Sequence, residues 1–276
     1  DTLTVIMRLA NGRPVDKTTI TYLLDKLDSD AQKIQQTMEK IVAGEETDMG
    51  GRYSMDESSF GGDRWGILPK SIIDIKKTIQ SNGTPLRENY RTGQGLMTGR
   101  NEAFTVSSGE IEEWDIEKEV LKPLVKNGDL RKYEYNPRGL DLIYLEGKDI
   151  DNYPNTKQYL SQYRDVLDDR AKDTVEWYQY LNPINKEVFE DEDREKIICP
   201  FTATENRFYL DQTGLYNDGG DIEIIVPDED GTPANEYLVC LLNSSLLEFY
   251  HLNHAKLKRD GYYEYFGNSL QAIPLI

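Results

Sequence analysis

The chain has 276 residues, with 50 acidic and 32 basic side chains and a formal net charge of −18. This length allows one large domain or two of ordinary size, and the 18 tyrosines indicate a globular chain rather than a disordered one. No apolar run reaches the roughly 18 residues that cross a bilayer, and no signal peptide opens the chain, so we expect a soluble, cytoplasmic protein without a membrane partner. The start at Asp1, without a methionine, suggests a piece of a longer protein.

The charge is unevenly distributed along the chain. Residues 1–60 carry a net charge of −4, residues 61–140 carry +1, and residues 141–276 carry −15. Acidity argues against a nucleic-acid partner, because binding to phosphates depends on lysine and arginine. Residues 61–140 are therefore the part of the sequence whose charge is most compatible with a nucleic-acid partner.

The N-terminal region predicts a long helix over residues 14–43, ended by Gly44. Its apolar positions follow a heptad spacing, which is typical of one arm of a helical hairpin or an interdomain strut, with a dimeric coiled coil as the alternative. These positions are Ile20, Leu24, Leu27, Ala31, Ile34, Met38 and Ile41. Residues 44–63 are rich in Gly, Ser, Asp and Glu and predict an exposed linker.

The remaining patterns alternate between helix and strand without the regular repeat of a dinucleotide-binding fold. We expect helices at residues 69–80, 117–125 and 156–180, and two short helices or one bent helix at 237–252. We expect strands at residues 104–106, 142–145, 197–199, 207–210, 222–226 and 261–266. The predicted class is α+β, with mixed strands and interleaved helices in residues 63–276 preceded by a helical segment in residues 1–62.

The sequence lacks the motifs of several common kinds of functional site. No GxxxxGK[ST] or GxGxxG motif follows a predicted strand. His251 and His254 have a spacing that allows metal binding, but no third ligand is nearby, so we expect partly exposed histidines near a helix end. Cys199 and Cys240 do not form a CxxC pair and are expected to be buried, reduced thiols. With 50 acidic residues, carboxylate pairs arise by chance and do not support a hydrolase.

A glycine-bracketed segment carries the strongest local signal for binding. Residues 95–104 read GLMTGRNEAF, and we refer to them as the glycine turn. Glycine permits a positive φ and a close approach of the backbone to a ligand. Arg100 and Asn101, which follow Thr98, suit forked hydrogen bonds to guanine and to adenine. From these residues alone, an ordinary tight turn before a strand remains the alternative.

Two further groups combine cations with positions suited to contacting a DNA backbone. Lys122, Lys126, Arg131 and Lys132 lie on a predicted helix–turn–strand unit, where they either follow phosphates or are ordinary surface charges. The second group mixes cations with stackable rings near the C-terminus, and its alternative is an edge strand packed on the core. Its candidate contacts are Lys256, Lys258, Arg259 and Tyr262.

A series of blocks in this order resembles the C-terminal specificity domain of TaqI-type adenine-specific DNA methyltransferases, a class that includes fused restriction-modification enzymes. The resemblance extends from about Trp65 to the end of the chain. The blocks are residues 95–104, 121–124, 129–133, 153–154 and 159–160, then Leu167, Arg170 and Trp177, then residues 196–198, 208–209, 237–244 and 273–274.

The resemblance implies a target-recognition domain that holds and reads double-stranded DNA. In that family a separate domain binds S-adenosylmethionine and methylates an adenine flipped from the duplex. The family's catalytic Asn/Asp-Pro-Pro-Tyr/Phe motif is missing, since residues 136–139 read NPRG and residues 182–185 read NPIN. We therefore expect no enzymatic activity and no cofactor in this chain. The expected partners are DNA and a methyltransferase domain of the same polypeptide.

Two other interpretations of the sequence remain open at this point. An acidic protein-interaction module would use the C-terminal half to dock a catalytic subunit or to mimic DNA. A stand-alone hydrolase is the third possibility, although no particular carboxylate pair is indicated.

Overall fold

The computed structural model describes residues 17–23, 30–45, 47, 50–56, 68, 70–171, 175–191, 195–228 and 236–276. It divides the chain into two compact units, Asp1–Asn82 and Gly83–Ile276. The boundary that we expect from the sequence, between residues 62 and 63, lies outside the described residues. Every candidate contact residue lies in the second unit.

The first unit contains a strand pair and two helices. Strand β1 (Lys17–Leu23) runs antiparallel to β2 (Gly50–Asp56), with Lys17 opposite Asp56. Helix α1 (Ala31–Ala43) begins at Asp30, whose side chain accepts a hydrogen bond from the Gln32 amide. It ends at Gly44, which has a left-handed φ of 93°. Helix α2 (Lys70–Asn82) confirms the helix that the sequence predicts.

The predicted helix over residues 14–43 is wrong at residues 17–23, which form β1. Residues 17–23 read KTTITYL, and this run of β-branched and aromatic residues favours a strand over a helix. The heptad spacing across it therefore does not mark one continuous helical face. The predicted linker is wrong as well where β2 pairs with β1. Leu24 and Leu27 lie outside the described residues.

The second unit is built on a four-stranded antiparallel sheet in the order β12-β10-β13-β4. Ile198 at its centre lies opposite Ile224 on one side and Tyr209 on the other. The strands are β4 (Tyr90–Gly93), β10 (Lys196–Pro200), β12 (Tyr209–Asp211) and β13 (Ile222–Pro227). All residues of β10 are buried, which agrees with the apolar run at residues 197–199.

A second sheet of three strands packs into the same core. Its order is β5-β9-β6, from β5 (Thr105–Ser107), β6 (Leu121–Pro123) and β9 (Leu140–Ile143). Three two-stranded pairs complete the unit, and these observations confirm the α+β class. The pairs join β3 (Thr84–Pro85) to β15 (Pro274–Leu275), β7 (Leu130–Arg131) to β8 (Glu134–Tyr135), and β11 (Thr202–Ala203) to β14 (Tyr263–Glu264).

The helices of the second unit are short. They are α3 (Asn101–Phe104), α4 (Ser108–Trp114), α5 (Pro154–Ser161), α6 (Arg164–Ala171), α7 (Lys186–Glu190), α8 (Glu236–Leu242), α9 (Ser245–Leu252) and α10 (Gly267–Gln271). The break that the sequence predicts within residues 237–252 is confirmed, because the Ser244 side chain accepts a hydrogen bond from Leu247 and begins α9.

Two predicted helices of this unit are wrong. Residues 156–171 form α5 and α6 rather than one continuous helix. The described residues 175–180 form a turn in which Trp177 and Tyr180 are buried, and Tyr180 meets Phe104 edge to face. Residues 117–125 form a 3-10 turn (Lys118–Val120) followed by β6, where Leu121 pairs with Ile143. The predicted strand at 261–266 is reduced to β14.

The cysteines and histidines differ in part from expectation. Cys199 is buried, but Cys240 is exposed on α8. His251 is fully buried rather than partly exposed, and its Nε2 lies 2.9 Å from the Glu264 carbonyl oxygen. Burial lowers the pKa of His251 to about 3, so the ring is neutral. Across the described residues, no three His, Cys, Asp or Glu side chains converge as metal ligands.

Among the helices in the described ranges, none combines the length and apolar character needed to cross a bilayer.

Candidate nucleic-acid interface

The glycine turn is fixed to the body of the second unit by its own backbone. Met97 and Asn182 exchange two backbone hydrogen bonds of 3.0 and 3.1 Å. The Leu96 amide donates to the Asn217 side chain at 3.2 Å. A Cβ atom at Gly95 would lie 1.8 Å from the Asn217 Oδ1 atom. Glycine is therefore needed at position 95 because a protein side chain, rather than a ligand, occupies the adjacent space.

The guanidinium group of Arg170 holds the glycine turn in place. Arg170 donates to the carbonyl oxygens of Thr98, Trp177 (3.3 Å) and Gln179 (2.5 Å). The same group lies 5.2 Å from the centre of the Phe104 ring. Burial lowers the pKa of this guanidinium. The sequence marks Arg170 only as part of a block on a predicted helix, and the structure shows that it connects that helix to the glycine turn.

The three candidate residues of the turn have different surroundings. Thr98 is fully buried, and its hydroxyl donates to the Asn101 Oδ1 atom at 2.5 Å and accepts from the Arg100 amide at 3.1 Å. Asn101 is exposed at the start of α3. The Arg100 side chain is 49% exposed and pairs with Glu102 at 3.4 Å. Thr98 therefore positions the turn, while the Arg100 and Asn101 side chains are exposed, each with one partner inside the turn.

The loop of residues 217–221 connects the glycine turn to the next basic group. Asp218 accepts a hydrogen bond from the Thr105 hydroxyl at 2.7 Å and pairs with Lys126. Asp221 lies 3.9 Å from the same ammonium group. From the sequence we expect only a turn in this loop. Its acidic residues neutralise Lys126, so this lysine is a structural cation in the described structure.

The other cations of the first basic group have different partners, namely a carboxylate for Lys132, an aromatic ring for Lys122 and backbone carbonyls for Arg131. Lys132 pairs with Glu248 at 2.6 Å, and this hydrogen bond raises the pKa of the lysine. Lys122 lies over the Tyr216 ring at 5.5 Å. Arg131 is exposed, and its Nη1 atom donates to two backbone carbonyl oxygens, of Leu130 at 2.7 Å and of Gly128 at 3.0 Å.

The C-terminal group forms one face around the β11–β14 pair. Lys256, Arg259 and Tyr262 are exposed, and Tyr262 is 43% accessible. Lys258 pairs with Glu264 at 2.5 Å and lies 5.6 Å from the Phe266 ring centre. The predicted strand exists here only as a two-residue edge, so part of this group is open surface rather than packed core.

Two residues that the sequence does not indicate complete this face. Arg207 donates to Asn127 Oδ1 at 3.0 Å, and Asn127 donates to the Thr202 carbonyl at 3.1 Å. Since Thr202 pairs with Glu264 in the β11–β14 ladder, these bonds bring Arg207 to the C-terminal group. Arg131 joins it because both arginines donate to the Leu130 carbonyl oxygen. We call this face the basic-aromatic surface; it comprises Arg131, Arg207, Lys258, Arg259, Tyr262 and the stacked rings of Phe201 and Phe266.

Residues 142–275 match the model of the TaqI-like C-terminal specificity domain. The matched region includes the C-terminal side of the basic-aromatic surface and begins after the glycine turn.

The curated relatives are longer than this chain. The type II methyltransferase M.BstVI of Geobacillus stearothermophilus is 22% identical over 237 residues, covering 81% of this chain and 40% of that protein. The type II methyltransferase M.PaeR7I of Pseudomonas aeruginosa is 24% identical over 218 residues, covering 76% and 35%. The chain thus spans less than half the length of these two relatives.

Among solved structures, this chain is similar to the Type IIL restriction-modification enzyme MmeI in complex with DNA. The match covers 69% of this chain and 25% of the MmeI chain, at 12% sequence identity and a TM-score of 0.47.

Proposed function

We propose that this chain is the DNA sequence-recognition part of a site-specific adenine DNA methyltransferase or of a fused type II restriction-modification enzyme. The observation that carries the proposal is the specificity-domain match over residues 142–275. The names of the two methyltransferase relatives agree with it. This match favours recognition of DNA over an acidic module that docks a protein.

The glycine turn supports direct reading of bases. Arg100 and Asn101 are exposed next to each other on a backbone that Thr98, Asn217 and Arg170 hold in place. An arginine fork matches the O6 and N7 acceptors of guanine, and an asparagine amide matches the N6 and N7 edge of adenine. Side chains on a fixed backbone lose little conformational freedom on binding, which favours selective contacts.

The basic-aromatic surface supports contacts with the DNA backbone, which set position without reading sequence. Lys122 and Lys256 are further candidate contacts on the two basic groups, whereas Lys126 and Lys132 are paired with carboxylates. In the proposed parent protein, a methyltransferase domain outside these 276 residues binds S-adenosylmethionine and modifies the flipped adenine. This chain holds the duplex and selects the site.

A selection from a pool of randomised duplexes tests the proposal. The intact protein, including any sequence beyond these 276 residues, is expected to enrich one short motif. Arg100→Gln and Asn101→Ala are expected to relax the preference at one or two positions, by about 10-fold or more per base pair. Arg164→Gln is the matched control, because its guanidinium is exposed and paired with Asp168 at 2.6 Å.

Two outcomes would contradict parts of the proposal. Enrichment of no motif by the intact protein would remove the recognition function. An unchanged motif in both glycine-turn variants would leave recognition in place but show that Arg100 and Asn101 do not read bases.

A further inference from the structure

Two guanidinium groups on the basic-aromatic surface converge on one backbone oxygen. The Leu130 carbonyl accepts a hydrogen bond from Arg131 Nη1 at 2.7 Å and another from Arg207 Nη1 at 3.2 Å. The two residues are 76 positions apart in the chain, and a shared acceptor places their charged groups side by side.

The groups that hold these arginines are neutral. Arg131 is bound by the Gly128 and Leu130 carbonyls, and Arg207 by the Leu130 carbonyl and the Asn127 amide oxygen. Neutral acceptors fix the direction of a guanidinium without cancelling its charge. This differs from Lys126, Lys132 and Lys258, which each pair with a carboxylate.

The electrostatic setting agrees with this geometry. Burial lowers the pKa of the Arg207 guanidinium, and the positive charge of Arg131 lowers it further, while exposed Glu205 acts in the opposite direction. Two like charges held together favour an anion between them. Within the described residues, Arg131 makes these bonds through Nη1, so its Nη2 and Nε protons remain for a ligand.

We infer that Arg131 and Arg207 form a two-arginine site for a single phosphate of the DNA backbone. The inference rests on the proposed function and adds to it a contact that is independent of base sequence. Guanidinium groups bind phosphate through parallel N–H bonds, and two of them can hold one phosphate from two directions.

Salt dependence of binding provides the first test. The affinity of the intact protein is measured across a salt series for its selected duplex and for a scrambled duplex. Arg131→Gln and Arg207→Gln are each expected to weaken binding about 3- to 10-fold on both duplexes and to reduce the slope of log K against log salt, by about 1 when both arginines are replaced. Arg164→Gln is expected to leave affinity and slope unchanged.

The second test replaces one charged phosphate of the DNA with a neutral one. Its measurement on the wild-type protein does not depend on how any variant folds. Methylphosphonate is placed at one backbone position at a time in the selected duplex. One position is expected to weaken binding of the wild-type protein about 3- to 10-fold, to have a smaller effect in Arg131→Gln, and to have no further effect when both arginines are replaced. Arg207→Lys keeps the charge but loses the fork, so it is expected to keep the wild-type slope at a lower affinity.

The outcomes separate this inference from the function on which it rests. Wild-type slopes in both glutamine variants, with no methylphosphonate position coupled to Arg131, would overturn the phosphate site while leaving a selected motif intact. Binding to both duplexes without any preference would overturn sequence recognition, and coupling to one phosphate would still support the site. No binding by the wild-type protein would remove both.

Discussion

The glycine turn and the basic-aromatic surface present polar side chains in opposite ways. In the turn, the backbone is held by Asn217, Asn182 and Arg170, and the two open side chains follow each other in the chain. On the basic-aromatic surface, the open arginines come from distant segments and are oriented by carbonyl and amide oxygens. A turn of the first kind suits selection among bases, and a surface of the second kind suits phosphates.

The comparison also shows that the number of cations in a segment does not measure its open positive charge. Lys126 and Asp218 are 92 residues apart, and Lys132 and Glu248 are 116 residues apart. Each pair cancels a charge that the sequence alone would assign to a DNA-binding face. Arg131, which lies between these lysines in the chain, keeps its charge because its partners are carbonyl oxygens.

Replacing Gly95 with alanine is expected to have the largest effect. The new Cβ would lie 1.8 Å from Asn217 Oδ1 and 2.6 Å from a ring carbon of Phe189. We expect a loss of about 2–4 kcal/mol in the free energy of unfolding of the second unit, measured by chemical denaturation. Gly109→Ala is the control, because its Cβ would meet nothing closer than 3.9 Å in helix α4, and it should be neutral or stabilising by up to about 1 kcal/mol. Equal effects of the two substitutions would show that Asn217 does not fix the turn.

Glu223 allows a pH-dependent test of the sheet that joins the two regions. Its strand β13 pairs with β4, which leads into the glycine turn, and with β10, which leads into β11. Burial raises the pKa of Glu223 to about 8, above its ordinary value of 4.5. The folded state therefore holds this proton more tightly than the unfolded state, so stability falls as the pH rises from about 4.5 to about 8.

Glu223→Gln removes this dependence. The variant is expected to match the wild type at pH 5 and to exceed it at pH 9 by on the order of 3 kcal/mol, measured by urea denaturation at both values. Glu112→Gln, an exposed position on α4, should change stability by little at either pH. A variant less stable than the wild type at pH 9 would contradict the burial of an unpaired carboxylate.

Arg170→Met tests whether the turn is held for base reading. The substitution removes the donors to the carbonyls of Thr98, Trp177 and Gln179. We expect a loss of about 2 kcal/mol in stability and a weaker base preference, with an unchanged salt slope, because no phosphate contact is removed. Arg164→Gln on the same helix is the control. A reduced salt slope with an unchanged base preference would show that Arg170 supports phosphate contacts rather than base reading.

Lys132→Gln is expected to have the smallest effect. Because Glu248 already pairs with this lysine, DNA affinity should change by less than about twofold, whereas Arg131→Gln lowers it more. The affinities of both variants for the same duplex, measured at one salt concentration, test this difference. If Lys132→Gln weakens binding as much as Arg131→Gln, the ion pair opens on DNA and paired lysines must be counted as contacts.

The elements predicted from sequence succeeded where local pattern and tertiary packing agree. Helix α2 has an uninterrupted apolar periodicity, β10 and β13 contain the apolar runs 197–199 and 224–226, and Ser244 carries a helix-start signal between α8 and α9. The prediction failed over residues 17–23, where heptad spacing and strand-forming residues coincide, and over 156–180, where aromatic residues at helical spacing are buried in a turn.

The sequence by itself determined the α+β class, the specificity-domain resemblance and the candidate pair Arg100 and Asn101, because each depends on neighbouring residues or on the order of blocks. Only the tertiary structure decided that Asn217 makes glycine necessary at position 95, that Arg170 holds the turn, and that Arg207 joins Arg131. These depend on hydrogen bonds and charges between segments that are distant in the chain, and no local pattern encodes such pairings.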